Sequence, residues 1–387
     1  MGDISIPFLL APMAELSHRA LRELIETFGG CDEYFTEMIS AAALLGGGPF
    51  ERWYIDGGPR PEKVVFQLVG ADIGQICRAV ALLDRLECRG IDLNMGCCAP
   101  LIRKTGAGIA WMASVDRAGE GVRELRKAVK RRLSVKIRTG FSDDFEYLVK
   151  FCRRLEAEGV ELITLHPRTA KEKLKRLARW DYVGALRQEL RIPVAGNGDI
   201  GSAADLINRS KGPCDAVMAG RAAVRQPWIF AEAKWNKETR NLNHGGHGVT
   251  RNSWDESLKF PETSSGPTGQ HDSMVKNLEY TPMPPDRTPI SCSRHTFLNL
   301  EDIGLRFLEL LARWQPPEFH ISRARRFFGF FCDNLQWGNY VKNLLNREET
   351  LSGIERAWQG YFREGSEKNL TTEDTEEKKN VFIPSPC

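Results

Sequence analysis

Short apolar runs punctuate the first part of the chain, and longer stretches with a different rhythm separate them. The eight runs are Phe8 to Met13, Glu33 to Thr36, Val64 to Val69, Ile91 to Asn94, Val135 to Arg138, Leu162 to His166, Pro193 to Gly196 and Ala216 to Ala219. The intervening stretches, such as "HRALRELIETFG" and "EYLVKFCRRLEAEGV", place apolar residues at i, i+3 and i+4. That spacing is the period of an amphipathic helix. Strand followed by helix, repeated, predicts a parallel sheet. Eight repeats favour a closed (β/α)8 TIM barrel over an open doubly wound sheet. No GxGxxG follows the first run, which also argues against the open sheet.

The rhythm breaks after Lys237, which closes a barrel domain of residues 1–237. Residues 238–298 are rich in Gly, Ser, Thr, Asn and Pro, as in "NHGGHGVTRNSWDES" and "TPMPPDRTPISC". Such a composition cannot bury enough surface to order itself, so a disordered insertion or linker is expected. The helical pattern returns with "LEDIGLRFLELLARW", "EFHISRARRFFGFFCDNL" and "GNYVKNLLNREETLSGIERAWQGYF". Residues 299–363 are therefore expected to form a small helical bundle, and the polar residues 364–387 a disordered tail.

Composition narrows the choices. A chain of 387 residues, 42% hydrophobic, can build a large core. A net charge of only +3 makes any nucleic-acid surface local rather than global. The ten cysteines form no CxxC and no framework, as expected for reduced thiols in a cytoplasmic protein. No secretory h-region precedes the first run, and no apolar run is long enough for a bilayer. Ser5 stands where a myristoylation signal wants Ser or Thr at position 6, so no membrane anchor is expected.

In a barrel the active site lies at the C-terminal ends of the strands. Those ends carry Pro12, Met13 and Ala14, then Glu37, Gln67, Asn94 with Cys97 and Cys98, Lys136 with Arg138, and His166 with Arg168. Strand seven ends in "GNGD", Gly196 to Asp199, and strand eight in "AGRA", Ala219 to Ala222. A lone glycine turn is usually only a tight turn. Two such loops at the usual phosphate position, one followed by Arg221, read instead as a phosphate site. Lys136 is either a Schiff-base nucleophile or a cation beside an anionic ring. His166 alone reads as a satisfied buried histidine; beside Lys136 and the phosphate loops it reads as a ligand contact. Adjacent cysteines rarely bridge each other, and their spacing is wrong for zinc, so no metal is expected. Either one thiol is reactive, or both are small hydrophobes at a turn.

The segments "LAPMA", "FTEMIS", "FQLVGAD", "IDLNMGC", "GAGIAWM", "VKIRTGF", "LHPRTA", "VAGNGDI" and "MAGRAAVRQPWIF" resemble, in order, the tRNA-dihydrouridine synthases. Each motif alone is unspecific; nine in order are highly specific. The match spans about residues 7–232, and the helical segment resembles the family's C-terminal bundle more weakly. The resemblance implies an FMN-dependent (β/α)8 barrel with a helical tRNA-binding domain, acting as a monomer. It implies reduction of the C5–C6 double bond of particular tRNA uridines, with NADPH or NADH recharging the flavin. By the same resemblance Pro12, Met13 and Ala14 lie under the flavin ring, Gln67 meets its pyrimidine edge, and Lys136 sits near N1 and O2. His166 contacts the cofactor, while Asn197, Gly198, Asp199, Gly220 and Arg221 hold the ribityl phosphate. Asn94 touches the target uracil, and Arg168 joins it on the substrate side. Cys97 takes the place of the catalytic cysteine, giving a proton to C5 after hydride passes from flavin N5 to C6. Cys98 replaces the family's proline, and Pro167 stands where glycine is common.

Two basic segments bear on RNA. "RTAKEKLKRLARW" carries Arg168, Lys171, Lys173, Lys175, Arg176 and Arg179 against Glu172. A charge run is often only a solvated face; this one follows strand six on the active-site face, where an RNA backbone must pass. Arg323, Arg325 and Arg326 form a second patch beside Phe327 and Phe328, which read as core. The rivals are a flavin barrel acting on a free pyrimidine, a flavin-free lyase built on Lys136, and an inactive RNA-binding protein.

Overall fold

Along a β-strand, alternate side chains point to opposite faces. In β6, Arg132–Gly140, this rule sends Leu133, Val135 and Ile137 into the apolar layer under the helices. The alternate residues, Ser134, Lys136 and Arg138, turn inward. The computed structural model describes residues 6–244, 297–369 and 381–382. The other strands are β1 Phe8–Leu10, β2 Glu33–Phe35, β3 Ile39–Ser40, β4 Val64–Val69, β5 Gly90–Met95, β7 Leu162–Thr169, β8 Val194–Asn197 and β9 Ala216–Ala219.

All pairings among these strands are parallel, in the order β2-β1-β9-β8-β7-β6-β5-β4. Pairing of Tyr34 with Val64 and Phe35 with Val65 joins β2 to β4 and closes the barrel. Each of the eight apolar runs becomes a barrel strand. The short β3, which pairs only with β4, was not legible, since two residues carry no period. Leu9, Phe35, Val65, Leu162 and Met218 belong to a separate apolar cluster that fills the barrel interior. Several crossover helices begin at side-chain caps: Asp72, Ser114 and Asp144 each accept a backbone N–H from the first turn.

The helix Ile229–His244 continues past Lys237. Residues 245–296 of the expected linker lie outside the described residues, as do 370–380 and 383–387 of the expected tail. Helices Leu300–Trp314, Pro317–Phe331, Gly338–Arg347 and Leu351–Asn369 make the C-terminal bundle. Its core is aromatic: Phe307 stacks on Phe327 at 3.7 Å, and Phe328 and Phe331 pack on Trp358. The bundle docks on the barrel through polar links as well as apolar ones. The Arg19 guanidinium stacks on Trp314 at 3.2 Å, and Asn334 Nδ2 donates to the Arg225 carbonyl at 2.6 Å. Among the described residues no helix is long and apolar enough to cross a membrane.

Candidate active site

The C-terminal ends of the strands enclose a cavity of about 320 Å³. Pro12, Met13 and Ala14 line it after β1, Asn94, Cys97 and Cys98 at β5, and Lys136 at β6. His166 and Arg168 line it from β7, Asn197, Gly198 and Asp199 from β8, and Gly220 and Arg221 from β9. Every strand-end residue expected from the sequence is therefore brought to one place except Gln67 and Glu37. Glu37 pairs with Arg323. The Gln67 side chain is fully buried and sits behind Asn94. Arg138 lines it too, as expected, and Ala11, Met38, Gly96, Leu174, Ile200 and Met218, which were not anticipated, complete the lining.

Behind the wall runs a buried chain of hydrogen bonds. Ser134 Oγ donates to Asp92 Oδ1 at 2.6 Å, and Gln67 Nε2 donates to Asp92 Oδ2 at 2.7 Å. Gln67 Oε1 then accepts from Asn94 Nδ2 at 2.8 Å. Because a carboxylate only accepts, Asp92 fixes which end of Gln67 faces it, and Gln67 in turn orients Asn94. Asn94 Oδ1 is left facing the loop beyond β5, where it accepts from Gly96 N at 3.1 Å and Cys97 N at 2.9 Å. Burial lifts the Asp92 carboxyl to about 6, against the pull of Ser134, Gln67 and Lys136.

The loop so held presents both thiols to the cavity, and both are free. They differ in their partners. Cys98 Sγ donates to the Gly96 carbonyl at 3.4 Å, and burial raises its pKa. Cys97 Sγ makes no hydrogen bond among the described residues, while its carbonyl accepts from Ile109 N at 3.0 Å. That close approach requires glycine at 108: its φ is +58°, and a Cβ there would lie 2.6 Å from the Cys97 oxygen.

The cavity is also cationic. The side chains of Lys136 and Arg221 form no hydrogen bond or salt bridge among the described residues. Burial pushes Lys136 down to about 8, helped by Arg138 and opposed by Asp92. Burial, with Lys136, Arg138, Arg168 and Arg221, drives His166 down to about 2, so its ring is neutral. Arg168 Nη1 lies 3.0 Å from His166 Nε2. An arginine can only donate, so Nε2 is the acceptor and the ring proton sits on Nδ1. Gly198, at φ +115°, admits this ring; a Cβ there would sit 3.0 Å from it.

A family model described as dihydrouridine synthase matches residues 9–248. The chain belongs to the dihydrouridine synthase family. Its members are oxidoreductases that act on uridines of tRNA. The chain is similar to "Probable tRNA-dihydrouridine synthase" of Aquifex aeolicus, 35% identical over 61% of this chain and 74% of the relative. It is similar to "tRNA-dihydrouridine synthase B" of Pseudomonas aeruginosa, 30% identical over 60% of this chain and 70% of that protein. "tRNA-dihydrouridine(16) synthase" of Ralstonia nicotianae is 31% identical over 57% of this chain and 70% of its own length.

Several charges that the sequence offers to RNA are already engaged. Arg168 is 2% exposed, and its fork reaches Asp199 Oδ1 at 2.5 Å, the Arg176 carbonyl at 2.6 Å and His166. Asp199 Oδ2 accepts from Ala178 N at 2.6 Å, so its carboxylate ties β8 to the loop after β7. Arg179 pairs with Glu172 and Asp143. Lys171, Lys173, Lys175 and Arg176 remain exposed. In the bundle, Arg323 is buried against Glu37 and Arg325 donates to the Glu348 carbonyl, leaving only Arg326 of that trio exposed. Phe327 and Phe328 are core.

The lysine carries a prediction. Lys136→Met should stabilise the protein at pH 7. The folded pKa of about 8 lies below the ordinary 10.5. Below pH 8 the lysine is charged in both states, and burying that charge costs at most about 3.5 kcal/mol at ~1.4 kcal/mol per unit. Between about 8 and 10.5 the unfolded chain binds more protons, so wild-type stability rises with pH and the variant's advantage shrinks. Denaturant titrations of both proteins across pH 6–10 check this; a constant difference would refute it.

Proposed function

We propose that the protein is an FMN-dependent tRNA-dihydrouridine synthase that reduces particular tRNA uridines at C5–C6, using NADPH or NADH. The observation that carries this reading is the make-up of the cavity: a free thiol shares it with two cations, Lys136 and Arg221, whose side chains make no salt bridge among the described residues. An anionic cofactor with a phosphate and an apolar ring fits that donor set. Arg221 would meet the phosphate with the backbone of the Gly198 and Gly220 loops, and Lys136 would neutralise charge on the ring. Met13 and Met218 supply apolar surface for a flat ring. When bound, the flavin supplies the hydride that uridine reduction needs.

The remaining chemistry belongs to the chain. Asn94 Nδ2 keeps one N–H beyond its bond to Gln67, and that N–H is available to a uracil carbonyl. Cys97 Sγ carries a proton for which the described residues offer no acceptor, so it can go to uracil C5. His166 is neutral and adds no charge that would compete for an anionic ligand. The exposed lysines of the loop after β7 meet the RNA backbone. Cytoplasmic placement and a monomeric state accompany this reading.

The test has two readouts. The purified protein should be yellow with FMN absorbance, and tRNA from cells lacking the gene should lose dihydrouridine at defined positions. Colourless protein, or tRNA indistinguishable from that of the parent strain, would refute the proposal.

A further inference from the structure

The loop after β7, residues 170–179, holds two leucines in the open. Leu177 is 82% exposed, and Leu174 is 50% exposed while also lining the cavity. Their neighbours Lys171, Lys173, Lys175 and Arg176 are all exposed cations. An isolated surface leucine needs no explanation. Two of them three residues apart on one loop, the first lining the cavity that gathers the site residues and both flanked by cations, do.

The loop is preformed. Ala170 N donates to the Gly140 carbonyl at 2.8 Å, and Lys175 N to the Glu172 carbonyl at 2.9 Å. Arg138 Nη1 reaches the Lys173 carbonyl at 3.2 Å, and Arg168 Nε the Arg176 carbonyl at 2.6 Å. Asp199 closes the far end through Ala178 N. Lys173 adopts φ +50°, a left-handed turn that carries Leu174 toward the cavity. Thus Arg138, which is half-buried, and Arg168, which is buried, both line the cavity and hold the backbone immediately before each leucine.

On the functional reading above, the target uridine belongs to a folded RNA, and the reacting thiol lies inside a recess. The base must leave its neighbours to reach it, and those neighbours would otherwise restack across the gap. We propose that Leu174 and Leu177 form an apolar finger that occupies the space the uridine vacates, while Lys171, Lys173, Lys175 and Arg176 hold the flanking phosphates. Inserted apolar side chains between base steps are an established way to keep a nucleic acid unstacked. The cations match the charge of the RNA backbone, and the leucines match the faces of its bases. Arg168 acts here as a positioning residue, through the loop it braces.

The test uses flavin-loaded enzyme and an unmodified tRNA transcript whose reduced uridine has first been mapped with the wild type. Leu177→Ala alone is safe for folding because the side chain is solvated, and Leu174→Ala/Leu177→Ala removes the whole finger. Single-turnover reduction should slow about tenfold or more in the double variant, and Leu177→Met should restore most of its share. The transcript is then remade with an abasic site beside the mapped uridine. With no neighbour to hold apart, wild type and double variant should reduce it at rates within about twofold of each other. Undiminished rates on the intact transcript, or a defect that persists on the abasic one, would overturn the finger. If the wild type reduces no tRNA uridine, the functional reading fails first and the finger falls with it; an active wild type beside equally active leucine variants overturns the finger alone.

Discussion

On the proposed function, Cys97→Ala should keep flavin binding and oxidation of NADPH, and reduce uridine about 10²–10⁴-fold more slowly, the usual contribution of a general acid. Two thiols line the cavity, so the prediction needs a reason to choose between them. Cys98 Sγ is turned onto the Gly96 carbonyl of its own loop. Cys97 Sγ has no such partner among the described residues, and its backbone is fixed on both sides, by Asn94 Oδ1 at its N–H and Ile109 N at its carbonyl. A proton donor needs that combination of a free side chain and a fixed position. Cys98→Ala and Cys98→Pro should keep most activity, the second because the motif this segment resembles has proline there. The measurement is single-turnover reduction of unmodified tRNA by prereduced enzyme. Loss in Cys98→Ala with retention in Cys97→Ala would reverse the assignment.

The strands and the site were legible for one reason. Period-2 alternation puts Ser134, Lys136 and Arg138 on one face of β6, and barrel geometry brings such faces to a common end. That reasoning found fifteen of the cavity's residues without a structure, because it needs only position along a strand. It fails where the outcome depends on which distant group a side chain meets. Arg168 and Arg323 look like RNA contacts in a linear chain, yet each finds a carboxylate far away in sequence, Asp199 and Glu37. Gln67 reads as a ligand contact at a strand end, yet Asp92 and Asn94 engage both ends of its amide. Asp92 carried no signal of its own, since its role exists only through Ser134 and Gln67 on the two adjacent strands. Exposed Leu174 and Leu177 were passed over for the opposite reason: within a basic run, charge was the louder feature.

Arg323→Ala should destabilise the protein by about 3–5 kcal/mol, the range for leaving one member of a buried ion pair unpaired. Arg323 and Glu37 are 2% and 3% exposed, and Nη1 lies 3.0 Å from Glu37 Oε2. The pair joins the bundle helix Pro317–Phe331 to the end of β2. Gln315 also accepts from the guanidinium, which packs over Phe319 at 4.8 Å, so the arginine is held by packing as well as charge. Burial already raises the Glu37 carboxyl above its ordinary 4.5, against the pull of Arg323. Without the arginine it rises further. A folded pKa above the unfolded one means the folded state binds more protons in that window, so stability falls as pH rises through it. The deficit of Arg323→Ala should therefore be smallest near pH 5 and grow toward pH 7.5. Replacing both partners, in Glu37→Gln/Arg323→Met, should recover much of the loss, because no unpaired charge is left behind. The consequence should also reach the active site. Glu37 Oε1 accepts from Glu15 N at 2.5 Å, and Glu15 sits at φ +63° directly after the cavity residues Pro12, Met13 and Ala14. A carboxyl that protonates in the variant accepts more weakly and releases that turn, so the cofactor should be lost more readily on dialysis at pH 5 than from the wild type. Urea titrations at both pH values, with flavin content measured alongside, decide the matter; a pH-independent deficit would show that packing, not the ion pair, holds the bundle to the barrel.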